Sequence, residues 1–215
     1  GNLTATATTG NLTDEETVTV SGTATLVTSA DDADITLDEL AVAGDIAVTT
    51  NGTSGNVTLE NATGIDFAES TVDGNLSVTA TGAITDSGTL TVSGTSTFTN
   101  TAGSSAAITL DSSGNAFTGV VTFVTDSGSS VTIVDTTAFD LQAVTVPSLA
   151  VTAGGPITDS GTLTIAGATT FDSGSANLTL DQAASTFGAL TLTGVNVSVT
   201  ENAAMDLAGA TVSGT

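Results

Sequence analysis

The sequence has no Lys, Arg or His, no Cys, and no Trp or Tyr, and each absence closes off a kind of chemistry. With 23 acidic side chains and no basic ones, its formal charge of −23 repels nucleic-acid phosphates and anionic membrane surfaces along the whole chain. Binding to nucleic acid and insertion into a membrane are therefore not expected. No apolar run approaches the roughly 20 residues that span a bilayer. Disulfides cannot form. Without His or Lys, no side chain can activate a Ser hydroxyl as a nucleophile, so the chain is not expected to be an enzyme. It opens at Gly1 without Met, has no charged leader, and stops at "ATVSGT" in mid-pattern. It is expected to be part of something longer, with any export signal outside it.

What the chain does contain is arranged in three long copies. Leu3, Leu76 and Leu149 open them at a spacing of 73 residues, giving units 1–73, 74–147 and 148–215 in one continuous segment. The landmarks return in fixed order: "VTVSGTAT" at Val18, "LTVSGTST" at Leu90 and "LTIAGATT" at Leu163, then "ITLD" at Ile35 and Ile108 and "LTLD" at Leu178. Each copy closes on a related stretch, "NVTLENATGIDFAESTV" from Asn56, "SVTIVDTTAFDLQAVTV" from Ser130 and "NVSVTENAAMDLAGATV" from Asn196. The third copy is shorter in its middle: Asp66 to Asp140 spans 74 residues, Asp140 to Asp206 only 66.

A finer period runs beneath, as in Gly74 to Ser93 and Ser148 to Gly167, each 20 residues long. In "NLSVTATGAITDSGTLTVSG" the apolar residues Leu76, Val78, Ile84, Leu90 and Val92 mark the inward positions of three short runs, with Thr and Ser alternating outward. That alternation separates the chain from a disordered low-complexity tract. The expected fold is all-β: a right-handed parallel β-helix, or β-solenoid, of about 20-residue rungs with a roughly triangular section. Ten or eleven rungs at about 4.8 Å make a rod on the order of 50 Å long. The alternative is a string of β-sandwich domains, which usually need about 100 residues each and a buried Trp or corner Tyr.

A thin interior favours small β-branched side chains, so the equivalent Phe98 and Phe171 are expected at corners or as stack fillers. If the two "ITDSGTLT" stretches occupy the same place in successive copies, Asp86 and Asp159 lie on one face, three to four rungs or roughly 15–20 Å apart.

"TDSG" at Thr85 and Thr158 reads as turn chemistry, with Asp capping amides and Gly taking positive φ. The runs Asp14, Glu15, Glu16 and Asp31, Asp32, Asp34 carry the oxygens that Ca²⁺ prefers, but neither has EF-hand spacing or the Gly-rich nonapeptide of calcium-loaded β-rolls. They are expected to be solvated charge. No catalytic, cofactor-binding or metal-ligating residue is expected. Asn-x-Ser/Thr at Asn2, Asn11, Asn51, Asn56, Asn61, Asn75, Asn177 and Asn196 follows from a composition rich in Thr and Ser.

"GNLSVTATGAITDSGTLTVSGTSTF", "ITLDSSGNAFTG" and "NVTLENATGIDFAESTVDGNLSV" resemble the β-strand repeats of giant bacterial surface proteins related to filamentous haemagglutinin. The resemblance covers essentially the whole chain. It implies a secreted or cell-surface β-helical exoprotein that forms an adhesive or structural fibre, although the familiar members carry basic residues. The expected function is a non-catalytic structural or adhesive segment located outside the cell. Its expected partners are further repeats of the parent chain, other copies of itself, or a cell or mineral surface reached through divalent cations. The alternative is a ligand-binding solenoid for ice or a cation-bridged surface glycan, since Thr-x-Thr runs can form ranked hydroxyl faces.

Overall fold

The computed structural model describes residues 1–101, 106–125 and 128–214. Among them are 27 β-strands of two to eight residues and no helix. Every strand pairing among the described residues is parallel. Paired segments lie about one 20-residue turn apart in sequence, as with Leu76 beside Val57 and Ser96. This is a β-solenoid of about ten turns. The antiparallel Greek keys of a sandwich are absent among these residues.

Turns such as Leu76 to Val92 and Leu149 to Ile165 contribute one longer strand and two short ones, as the three-run reading has it, whereas Ala24–Thr28 is followed by the single strand Ile35–Val42. Leu76 and Val78 in Leu76–Ala80, Ile84 in Ile84–Asp86, and Leu90 and Val92 in Leu90–Val92 are all buried. In-register stacking turns each inward position into a column running up the rod. Val57, Leu76, Ser96 and Val121 form one, and Leu59, Val78, Phe98 and Phe123 another. Apart from Ala33, the buried hydrophobic residues from Val20 to Leu192 form a single cluster. Phe98 and Phe171 are stack fillers, but they sit mid-strand instead of at corners. Phe98 lies 5.8 Å from the Phe123 ring one turn on and edge-to-face with Phe117 at 6.0 Å across the core. A ring can sit there because its neighbours along and across the core are aromatic too.

The strands form two opposed sheets, the first of 14 strands and the second of 11 with a two-stranded extension. The longer strands do not stay on one of them. In the opening turns Leu3–Ala7, Ala24–Thr28 and Ile46–Thr49 stack on the first sheet, facing the short pair Leu12–Thr13 and Val18–Val20 and then Ile35–Val42. Ile46 next pairs with Phe67 and Thr49 with Thr71, so one long strand is followed by two short ones, Ile65–Phe67 and Ser70–Val72. On the second sheet Ile35 pairs with Val57 and Leu40 with Asn61, so two short runs give way to one long strand.

The exchange then happens again in the other direction. Val121 pairs with Leu141, and Val131–Asp135 takes its place above Ile108–Leu110, with Asp135 Oδ1 accepting the Phe117 amide. A 73-residue copy therefore spans about three and a half turns, and successive copies face opposite ways.

This corrects the placement of Asp86 and Asp159. Ile84–Asp86 belongs to the first sheet and Ile157–Asp159 to the second, so the two carboxylates do not share a face. The single-face expectation assumed a whole number of turns per copy, and the extra half turn carries the same sequence to the other side. The turn-to-turn stacking that defines the solenoid is independent of that assumption.

Candidate functional site

The repeated "TDSG" aspartates reach upward. Asp86 Oδ1 accepts the Asp111 amide at 2.8 Å, and its other oxygen is bonded by the Asn115 side chain. Asp159 Oδ1 accepts the Asp181 amide at 2.8 Å. Asp14, which holds the same place in the first copy, accepts the amides of Asp38 and Glu39 at 3.2 and 3.1 Å. In all three copies the carboxylate thus caps the next turn of the solenoid, at the Asp of "ITLD" or "LTLD". The capping expected from the sequence is present, but its targets lie a full turn away and not in the local bend. Gly88 and Gly161 do not take positive φ. They are glycines because a Cβ would sit 2.2 Å from the Glu69 nitrogen or 2.1 Å from the Ala143 nitrogen of the turn below.

Burial shapes the charge of these groups. Asp86 and Asp159 are 8 % and 6 % exposed, and desolvation lifts both carboxyls above their ordinary range against the pull of their hydrogen bonds. Asp135, 2 % exposed, is raised for the same reason. Asp159 Oδ2 and Asp135 Oδ2 are buried without a partner.

The two acidic runs do not converge. Asp31 Oδ1 accepts the Asn51 side chain at 2.7 Å, and Asp34 Oδ1 accepts the Asn56 amide at 2.8 Å. Asp32 adopts a left-handed φ of 58° and receives the Thr53 and Ser54 amides at 2.8 and 3.0 Å, which hold its carboxyl below the usual range. Among the described residues no three acidic side chains come together as a metal site. Glu15, Glu16, Asp31 and Asp32 are exposed, as expected of solvated charge, and Asp14, Asp31, Asp32 and Asp34 also serve as structural acceptors.

One feature was not anticipated. Asn11 Oδ1 accepts the Asp34 amide, Asp34 the Asn56 amide, Asn56 the Asn75 amide and Asn75 the Thr95 amide, at 2.8–3.0 Å. A polar ladder therefore climbs one corner, each rung anchoring the next. The Asn-x-Ser/Thr matches have such work throughout: Asn2, Asn11, Asn56 and Asn75 accept an amide of the next turn, Asn51 and Asn196 donate to the turn below, the latter to Asn177, and Asn61 is fully buried and bonded to Val42 and Gly64. The signal was legible as an Asn or Asp placed just before an apolar strand start at spacings of 23, 22 and 19 residues. A surface groove of about 460 Å³ over this corner is lined by Asp32, Asp34, Asn56, Asp73 and Asn75, largely the ladder itself.

Fold and polar groups together define a parallel β-solenoid repeat protein whose internal acceptors are spent on joining turns. The chain belongs to the family described as repeats of unknown function (DUF5649), which matches residues 54–124 and 128–194, more than half of its length. Each matched segment contains one four-strand stack of longer strands, Val57–Asn61 to Val121–Val124 and then Val131–Asp135 to Ala189–Gly194. The family unit is thus the block that faces one way before the half-turn exchange. No curated protein and no solved structure matches the chain.

Proposed function

We propose that the chain is a non-catalytic structural or adhesive segment of a secreted or cell-surface fibre, akin to the filamentous-haemagglutinin-like exoproteins its repeats resemble. The observation that carries this reading is the single column of core, reinforced from Asn11 to Thr95 by the corner ladder, in which stacked turns support one another. Such an arrangement sets length and stiffness, and duplicating a unit extends it without redesign. The absence of Lys and Arg also leaves no tryptic site on a rod built for durability outside the cell. Brief protease shaving of intact producing cells, followed by mass spectrometry and electron microscopy, tests the proposal. Release of solenoid peptides and of thin rods is the expected result, and confinement of the protein to the cytosolic fraction contradicts it.

A second reading, binding of ice or a crystalline surface, is favoured by one feature. Thr13, Thr36, Thr58, Ser77, Thr97 and Thr122 form an unbroken in-register rank of outward hydroxyls on the second sheet. Thermal hysteresis with crystal shaping at micromolar protein would favour this reading over the fibre.

A further inference from the structure

The two places where the rod exchanges its long strand are built alike around one buried side chain. At the first, Val57–Asn61 stacks on Ile35–Val42; at the second, Val131–Asp135 stacks on Ile108–Leu110 and reaches Phe117. Asn61 and Asp135 end those strands, hold the same place in "NATGIDF" and "DTTAFDL", and are 0 % and 2 % exposed. Each caps the turn below: Asn61 Oδ1 accepts the Val42 amide at 2.9 Å, and Asp135 Oδ1 the Phe117 amide at 3.2 Å. The Thr two residues on matches as well, with the Thr63 hydroxyl 3.1 Å from the Val42 carbonyl oxygen and the Thr137 hydroxyl 3.3 Å from that of Phe117.

The two side chains differ in what they can give. Asn61 Nδ2 donates to the carbonyls of Val42 at 3.0 Å and Gly64 at 2.7 Å, so one amide ties both sides of the joint. An ionised Asp135 has no proton to give. The one proton of the Thr137 hydroxyl is then shared among the Phe117 carbonyl, the Ala138 carbonyl and Asp135 Oδ1, at 3.3, 3.4 and 3.0 Å. Asp135 Oδ2 is buried without a partner. With no Lys, Arg or His in the chain, no side-chain cation can neutralise it.

We propose that Asp135 works as a neutral carboxylic acid standing in for the amide of Asn61, and that it makes the second exchange a pH-sensitive joint, tight while the acid holds its proton and loosened when the proton leaves. The protonated carboxyl supplies the donor that this corner is short of, whereas the ionised form leaves an unpaired charge in the core. Desolvation, which raises the Asp135 carboxyl, acts in the same direction. Among the described residues, the titratable groups on the strands packed around it are all acids. Ala116–Phe117 and Leu149–Ala153 carry none, Asp140 in Phe139–Leu141 alternates outward, and the exposed Asp111 follows Ile108–Leu110. Asp86, two strands along the same sheet, is bonded to Asn115. None of these can hold Asp135 ionised, and like charge favours its proton.

Thermal melts of wild type, D135N, N61D and the charge control E60Q between about pH 4 and about pH 8 test the proposal. D135N, with the donor built in, is expected to melt together with wild type at the acid end and above it at the alkaline end, by a margin that grows with pH and exceeds that of E60Q. N61D, which gives the first joint the acid, is expected to melt below wild type at the alkaline end and to recover as pH falls; D135N decides the matter even where N61D does not fold. Hydrogen exchange supplies the local reading: in wild type the protection factors of Val131–Asp135 fall relative to Leu76–Ala80 as pH rises, and in D135N they hold. A D135N margin that is independent of pH, no larger than that of E60Q or of opposite sign overturns the proposal, and so does wild-type protection of Val131–Asp135 that keeps pace with Leu76–Ala80 throughout.

Discussion

The segments 84–117 and 157–187 were written from one pattern, yet they finish their buried aspartates differently. Above Asp86, Asn115 accepts the Leu90 amide at 2.8 Å and still has an amide group to give to the carboxylate. In the other copy Ser185 fills that place and accepts the Leu163 amide at 3.0 Å, but no bond from it reaches Asp159, whose Oδ2 stays unpartnered. The strand-side job survives the change from Asn to Ser, and the carboxylate-side job is lost. One copy therefore holds a satisfied buried acid and the next a strained one.

The aromatic cores differ in the same direction. Phe98 meets two rings, Phe117 and Phe123, whereas Phe171 meets Phe187 at 6.2 Å. F98A is expected to cost about 4–5 kcal/mol and F171A about 3–4 kcal/mol, read as the difference in chemical unfolding midpoints. Equal losses would remove the aromatic side of the contrast.

The polar side is broken by exchanging the two residues. N115S, which leaves the second oxygen of Asp86 with only the long bond from the Ser112 amide at 3.3 Å, is expected to destabilise by about 1–3 kcal/mol. S185N, supplying Asp159 with the missing donor, is expected to stabilise by about 1 kcal/mol. Thermal melts of both single variants check the signs, and two shifts in the same direction contradict the account.

Protons provide a gentler probe. Burial raises the carboxyls of Asp86, Asp135 and Asp159, so the native state holds their protons more tightly than the unfolded chain does. Their contribution is fully present below the unfolded value near pH ~4 and is lost as pH rises through the raised folded values. The Tm is therefore expected to climb as pH falls from about 7 to about 4, and more steeply in N115S. Asp32 works the other way. Its lowered carboxyl contributes above the ordinary value and is lost as pH falls further, so the gain turns over in strong acid. A Tm that falls steadily from pH 7 would contradict this assignment.

The smallest expected effect is ionic. Carboxylates with no basic side chain to pair with repel one another, so unfolding midpoints should rise from low-salt EDTA to high NaCl or CaCl₂. Identical midpoints would mean that the acidic groups lie too far apart to matter.

Much of this was legible in the chain. Alternation placed Leu76, Val78, Ile84, Leu90 and Val92 inward, and all five are buried. The same parity puts Asp86 on the side of Ile84, but a charged residue in a turn motif reads as exposed, so its burial was overlooked. Repeated sequence says that two stretches are alike and not which way they face. The half turn emerges only when the 73-residue copy is divided by a rung slightly longer than 20 residues, and rung length varies from stretch to stretch. The corner ladder was hidden because Asn followed by x-Ser/Thr is common in a chain so rich in hydroxyls.

The central claim, that each copy turns the rod half way round, has a direct test because the chain is free of cysteine. Ala150 is the paired neighbour of Thr132, one turn below it on the first sheet, while Thr122 lies on the second sheet. If copies instead spanned whole turns, Leu149–Ala153 would sit on Val121–Val124 and bring Ala150 beside Thr122. Strand neighbours at about 4.8 Å fall within disulfide reach. Oxidation of T132C/A150C, followed by free-thiol counting and non-reducing mass analysis, is predicted to close an intramolecular disulfide, and T122C/A150C to leave both thiols free. Closure of the Thr122 pair with the Thr132 pair left open would contradict the half-turn architecture.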